Sequence, residues 1–201
     1  MNNPSHPVSG TAVIAPPDSL LRNAGIVLAG TLFVAICARV SIPLGFTPVP
    51  LSMQPFAVMV LGLLLSPRLG AATMTAYLAE GAIGLPVFAP AAGALAGFAH
   101  LFGPTGGYLL SYPLAVFAIA AMWRSSRRTF TWALLSAAAG SIIILAIGAV
   151  WLSILTHASA ATVLSQAVVP FLPGDALKVV LAASAGLAWF RLRRVPADPN
   201  R

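Results

Sequence analysis

Between Leu20 and Phe190 the chain is a succession of long apolar runs joined by connections rich in Pro, Gly and Ala, and few folds can absorb such a pattern. A hydrocarbon layer of about 30 Å takes about 20 apolar residues in a helix, and in lipid only helices or closed barrels satisfy every backbone N–H and C=O. Runs of this length select helices. Spans are expected at 20–41, 52–65, 69–85, 105–123, 130–157 and 171–190. The expected fold class is an all-α membrane protein, one domain of six transmembrane helices over 20–194 flanked by polar tails at 1–19 and 195–201. The second and third runs are short and meet at Ser66, Pro67 and Arg68, which reads as a helical hairpin.

Composition removes the competing classes. Charged residues make up 7% of the chain and the mean hydropathy is +0.92, whereas a soluble domain carries about 25% charge. The net charge of +7 comes from short basic runs beside apolar stretches, so lipid headgroups fit it and nucleic acid does not. Cys37 stands alone, which excludes an internal disulfide and a cysteine-pair metal site. His100 and His157 have no second His at metal spacing, so no metal site is expected. No Lys or Arg precedes the first apolar run, so residues 1–19 do not read as a cleavable signal peptide and the first span is expected to serve as its own insertion signal.

Cytoplasmic loops retain Lys and Arg. Six spans with the amino terminus inside place Arg22, Arg68, Arg124, Arg127, Arg128, Arg191, Arg193, Arg194 and Arg201 in the cytoplasm, nine of the 11 basic residues. The outer connections 42–51, 86–104 and 158–170 then carry none. For 86–104 two readings stay open: a lid folded back over the helices, or a flexible outer loop.

Arg39 and Lys178 are the remaining bases, and Glu80 and Asp175 are the acids outside the tails. On this topology all four fall near the outer surface. A charge at the bilayer centre costs about 2.5 to 3.5 kcal/mol on insertion scales, which favours pairing or a shared polar cavity. Asp175 and Lys178, three apart at the start of the last helix, read either as a self-neutralising ion pair or as site residues. As a site, Asp175 accepts N–H donors while Lys178, the positive helix end and the Arg39 fork hold an oxygen. Such a site suits a ligand with both donors and acceptors. Glu80 is equally a proton site or a counter-ion to Arg39. Gln54, Tyr77, Phe88 and Tyr108 fall at the same level as candidate ligand contacts, whereas Tyr112 reads more readily as an interfacial anchor.

The chain holds no GxxxxGK[ST] phosphate loop, GxSxG elbow or HExxH pair. Ser153 and His157 lack an orienting acid, so an enzyme is not expected. Gly25 with Ala29, and Thr31 with Ala35, give helix 1 small-residue faces suited to internal packing or to a partner helix.

Five motifs in order, ARVSIPL at 38–44, TPVP at 47–50, GAIGLPVF at 81–88, GPTGGYL at 103–109 and LPGDALK at 172–178, resemble the BioY family. These are the biotin-specific substrate-binding components of energy-coupling factor transporters. The resemblance implies a six-helix protein that captures biotin from outside and delivers it inward with a transmembrane coupling protein and two cytoplasmic ATPases. It maps the family's helix 6 acid and lysine onto Asp175 and Lys178, and its basic residue at the end of helix 1 onto Arg39. The Gly25 and Ala29 face resembles the surface that meets the coupling protein. Biotin would be the transported ligand and no cofactor is implied; a homo-oligomer is compatible with the pattern. The alternative is a proton-coupled secondary transporter of another small organic anion, with Glu80 as its proton site.

Overall fold

The computed structural model describes residues 17–90 and 95–193. Nearly all of the tails expected at 1–19 and 195–201, including Arg201, and also Arg194, lie outside the described residues. The chain is mostly helical: α1 (Pro17–Arg39), α2 (Gln54–Leu64), α3 (Pro67–Ala82), α4 (Gly106–Arg124), α5 (Phe130–Thr156), α6 (Ala160–Ala167) and α7 (Leu172–Leu192). Each of the six expected runs is helical, and their lengths differ. Among the described residues four helical stretches are long and apolar enough to cross a membrane: Ser19–Arg39, Gly106–Arg124, Phe130–Thr156 and Ala160–Leu192, the last made of α6, a 3-10 turn and α7. With 11 and 16 residues, α2 and α3 reach only about 16 and 24 Å at 1.5 Å per residue, less than the hydrocarbon thickness.

Local chemistry sets the boundaries. Ser66 accepts a hydrogen bond from Leu69 N and Pro67 occupies the first turn, so α3 starts two residues before the expected position. It stops early because Gly84 takes a left-handed φ of 98° ahead of Pro86. Pro43, Pro48 and Pro50 end helix 1 and bar a helix beyond it. Instead, β1 (Ser41–Ile42) and β2 (Leu51–Ser52) form a two-residue antiparallel ladder. The segment 158–170, expected as an outer connection between spans, contains α6, capped by Ser159 accepting from Thr162 N, with Val163 and Ala167 buried.

The expected α2–α3 hairpin opens, because each helix packs mainly elsewhere. Helix α2 lies against α7 and α4, and α3 against α4 and α1. A Cβ on Gly62 of α2 would strike Ile119 of α4, and one on Gly70 of α3 would strike Val116 of α4. Those two glycines let α4 seat on both. Helix α1 is the outermost: Leu21, Leu28, Leu32 and Ile36 are more than half exposed, as befits lipid-facing residues. Its two small-residue pairs divide. Thr31 is buried and Ala35 half-buried, while Gly25 and Ala29 are exposed, with nothing within 4 Å of a Cβ placed on Gly25.

Candidate functional site

The amino-terminal ends of α2, α4 and α7 converge at one end of the bundle, opposite the ends that carry Arg22, Arg68, Arg124, Arg127 and Arg191. Between them lies a cleft of about 520 Å3, its open mouth included. Val49 and Pro50 of the β1–β2 connection wall one side, with Leu109 of α4, Ile144 and Leu145 of α5, and Phe171 before α7 on the others. The connection is held down locally: Val49 N donates to Thr47 Oγ1 at 3.3 Å, and the Leu51 side chain packs onto Gly174.

The polar side chains of the cleft are few and placed by the helices. Asp175 in the first turn of α7 and Lys178 one turn on share a helix face, and both line the cleft at 5% exposure. Lys178 Nζ donates to Asp175 Oδ1 at 3.0 Å, and Ser141 Oγ of α5 donates to Asp175 Oδ2 at 3.1 Å. The two sequence readings of this pair are compatible: it is an ion pair, and it forms part of the cleft wall. Removing two charges from water is costly unless geometry and further hydrogen bonds compensate. Ser141 and the positive end of α7 supply part of that compensation for Asp175. Among the described residues Asp175 is the one hydrogen-bond partner of the Lys178 ammonium, which carries three N–H donors.

Gln54 and Tyr108 also line the cleft. Tyr108 O–H donates to the Ala167 carbonyl at 2.8 Å, joining α4 to the end of α6. Tyr112, read from sequence as an interfacial anchor, is 2% exposed and lines the cleft, because the face of α4 that bears it turns toward α5. Tyr77 and Phe88 do not line the cleft; they stand behind it. Ser52 Oγ donates to Gln54 Oε1, Gln54 Nε2 donates to the Tyr77 hydroxyl at 2.7 Å, and Tyr77 O–H donates to the Val87 carbonyl at 2.8 Å. Phe88 packs edge-on against Tyr77 in space left by Gly81. In the described part of 86–104, Phe88, Ala89, His100 and Leu101 are buried against the helices, while Leu95, Phe98 and Phe102 are exposed.

Arg39 and Glu80 stand apart from Asp175 and Lys178. Arg39 is exposed at the end of α1, Glu80 is half-buried on α3, and both lie within electrostatic reach of Tyr77. Neither lines the cleft, and among the described residues they form no ion pair with each other. The four charges thus divide into two groups. Sequence reading missed Ser141 and Ser52, which bond Asp175 and Gln54. A serine in an Ala- and Ser-rich span carries no spacing signal, since its hydroxyl ordinarily bonds its own helix. Replacing Ser141 by Ala should weaken ligand binding about three- to ten-fold through the lost charge-assisted bond, read by titration of the purified protein.

A polytopic helical membrane protein with a buried acid–base pair in a cleft at one end of its bundle belongs to the class of membrane-embedded small-molecule binders. The comparisons narrow that class. The sequence model of the BioY family matches residues 8–194, and the chain belongs to that family. It is 39% identical over 154 residues to a probable biotin transporter BioY of Pyrococcus horikoshii, covering 75% of this chain and 87% of that protein. It is 36% identical over 168 residues to the biotin transporter BioY of Thermotoga maritima, covering 84% and 94%. Among solved structures it resembles the S-component for biotin from an ECF-type ABC transporter, with a TM-score of 0.78 and 29% identity over 92% of this chain and 97% of that one.

Proposed function

We propose that this chain takes up biotin, as the membrane-embedded substrate-binding component of an energy-coupling factor transporter, and holds it in the cleft walled by Asp175 and Lys178. The observation that carries the reading is this buried pair in the wall of the cleft, in a chain related to biotin transporters along most of its length. Biotin offers a ureido group with N–H donors and a carbonyl acceptor, an apolar thioether ring and a carboxylate on an alkyl arm. Asp175 accepts N–H, the free donors of Lys178 meet an oxygen, and Tyr108, Tyr112 and the apolar wall take the ring system. No cofactor enters this scheme.

Six helices, α1 to α5 and α7, span the bilayer in this reading, α2 and α3 as short spans in a locally thinned layer. Both termini and the arginine-bearing helix ends face the cytoplasm, so the cleft opens outward. The exposed Gly25 and Ala29 face of α1 is available to a transmembrane coupling protein, with two ATPases supplying the energy that this chain has no phosphate loop to harvest. Arg39 and Glu80, beside Tyr77, act on the support of the cleft and not on the ligand directly.

Equilibrium titration tests the reading. Purified protein should bind biotin saturably, and failure to bind would overturn it. Uptake into cells should require the coupling protein and ATPases. Uptake by this chain alone that collapses with the proton gradient would favour the secondary-transporter reading instead.

A further inference from the structure

The binding scheme leaves two buried polar side chains of the cleft unused: Gln54, which is tied to Ser52 and Tyr77, and His100. His100 lies in a short 3-10 turn (Gly97–Phe102), is 8% exposed, and lines the cleft together with Thr105 and Ala89. Both of its ring nitrogens are engaged within the protein. Nδ1 lies 3.0 Å from the Leu95 carbonyl oxygen and Nε2 lies 3.3 Å from Thr105 Oγ1. A carbonyl only accepts, so Nδ1 carries the proton; in the neutral ring Nε2 is then an acceptor and the Thr105 hydroxyl donates to it. The imidazole therefore has no donor or lone pair left for a ligand.

What it does hold is the turn. A 3-10 turn has few internal bonds and poor hydrogen-bond geometry, so its position depends on what it is tied to. His100 ties it to Thr105, just before α4, and its ring packs 4.9 Å from Phe88, which rests on Tyr77. At the far end Trp151 Nε1 of α5 donates to the Gly103 carbonyl at 2.9 Å. A hydrogen-bonded relay from Thr105 through His100 to Leu95 thus spans the segment where it lines the cleft.

We propose that His100 is a positioning residue: its relay holds the 95–105 segment closed over the cleft and sets how fast ligand enters and leaves, without bonding the ligand. The proposal rests on the biotin reading of the cleft. Because the relay has no ligand atom in it, it stabilises the closed segment equally with and without ligand. Loosening it should raise entry and exit rates together and leave affinity nearly unchanged. A residue that touches the ligand would instead raise the dissociation constant.

The experiment measures biotin association and dissociation rates on the full chain in lipid nanodiscs. His100→Phe keeps the aromatic packing and loses both bonds; Thr105→Val loses one with little change of shape. Expected are parallel increases in both rates of about ten-fold for His100→Phe and about three-fold for Thr105→Val, with the dissociation constant within about two-fold. His100→Asn, whose amide can still donate to Leu95, should fall between wild type and His100→Phe. Unchanged rates, or a raised dissociation constant with unchanged association, would overturn the proposal. Hydrogen exchange without biotin supplies a second readout. The amides of Gly103 and Gly106, bonded to the His100 and Gly103 carbonyls, should lose protection in His100→Phe while the α4 interior keeps it; unaltered protection overturns the latch. Wild-type protein that fails to bind biotin would defeat the biotin reading, and the exchange result would still decide on the latch.

Discussion

Lys178→Leu should lower biotin affinity by about 100-fold or more, and should also destabilise the fold. Among the described residues, the substitution leaves Asp175 buried with Ser141 as its one remaining side-chain donor. Breaking a buried ion pair from one side costs about 3 to 5 kcal/mol, and each 1.4 kcal/mol is ten-fold in an equilibrium constant. Affinity loss alone would not separate a binding role from a structural one. The paired substitution Asp175→Asn with Lys178→Leu does, because it removes both charges and with them most of the penalty of an orphaned one. It should melt within a few degrees of wild type yet still fail to bind biotin. A doubly substituted protein that binds biotin like wild type would reduce the pair to an internal neutralisation device, and the site assignment would go with it.

Gly148→Val should cost about 10- to 100-fold in affinity without touching any polar group. Gly148 lies on α5 directly against the Tyr108 ring, and a Cβ there would fall on the ring carbons. Pushing the ring away from α5 disturbs its hydrogen bond to the Ala167 carbonyl. Overpacking costs about 1 to 3 kcal/mol and the lost bond about 1 more. Displacement of the ring narrows the cleft, so the penalty falls on binding as well as on stability. Tyr108→Phe isolates the hydrogen bond and should lose under ten-fold. Gly25→Val is the control, since that position opens onto empty space; biotin titration should find it within about two-fold of wild type. Equal losses in the Gly148 and Gly25 variants would show that the effect is generic to valine in these helices.

How much of the site could be read in advance follows from which signals are one-dimensional. Asp175 and Lys178 stood out because a charge in an apolar span is expensive wherever the helix turns, and their spacing of three puts them on one face whatever packs against it. Gln54 and Tyr108 followed from depth alone. Depth, however, does not report azimuth. Tyr112, Tyr108, Tyr77 and Glu80 were all placed at one level, and helix rotation sent the first two into the cleft, Tyr77 behind it and left Glu80 half-buried outside the cleft lining.

By itself the sequence determined that the chain lies in a membrane, that its long runs are helical, that its basic residues gather at one set of helix ends, and that the last helix begins with a paired acid and lysine. Solvent transfer and backbone hydrogen bonding decide those points residue by residue, before any helix meets another. Only the tertiary structure decided that α4 seats on both Gly62 and Gly70 and opens the expected hairpin, that Ser141 answers Asp175 from another helix, and that His100 and Thr105 fasten the segment over the cleft. Each of those depends on contacts between residues far apart in the chain or on the path of an irregular segment, where hydrophobicity has no period to follow and side-chain shape chooses the partner.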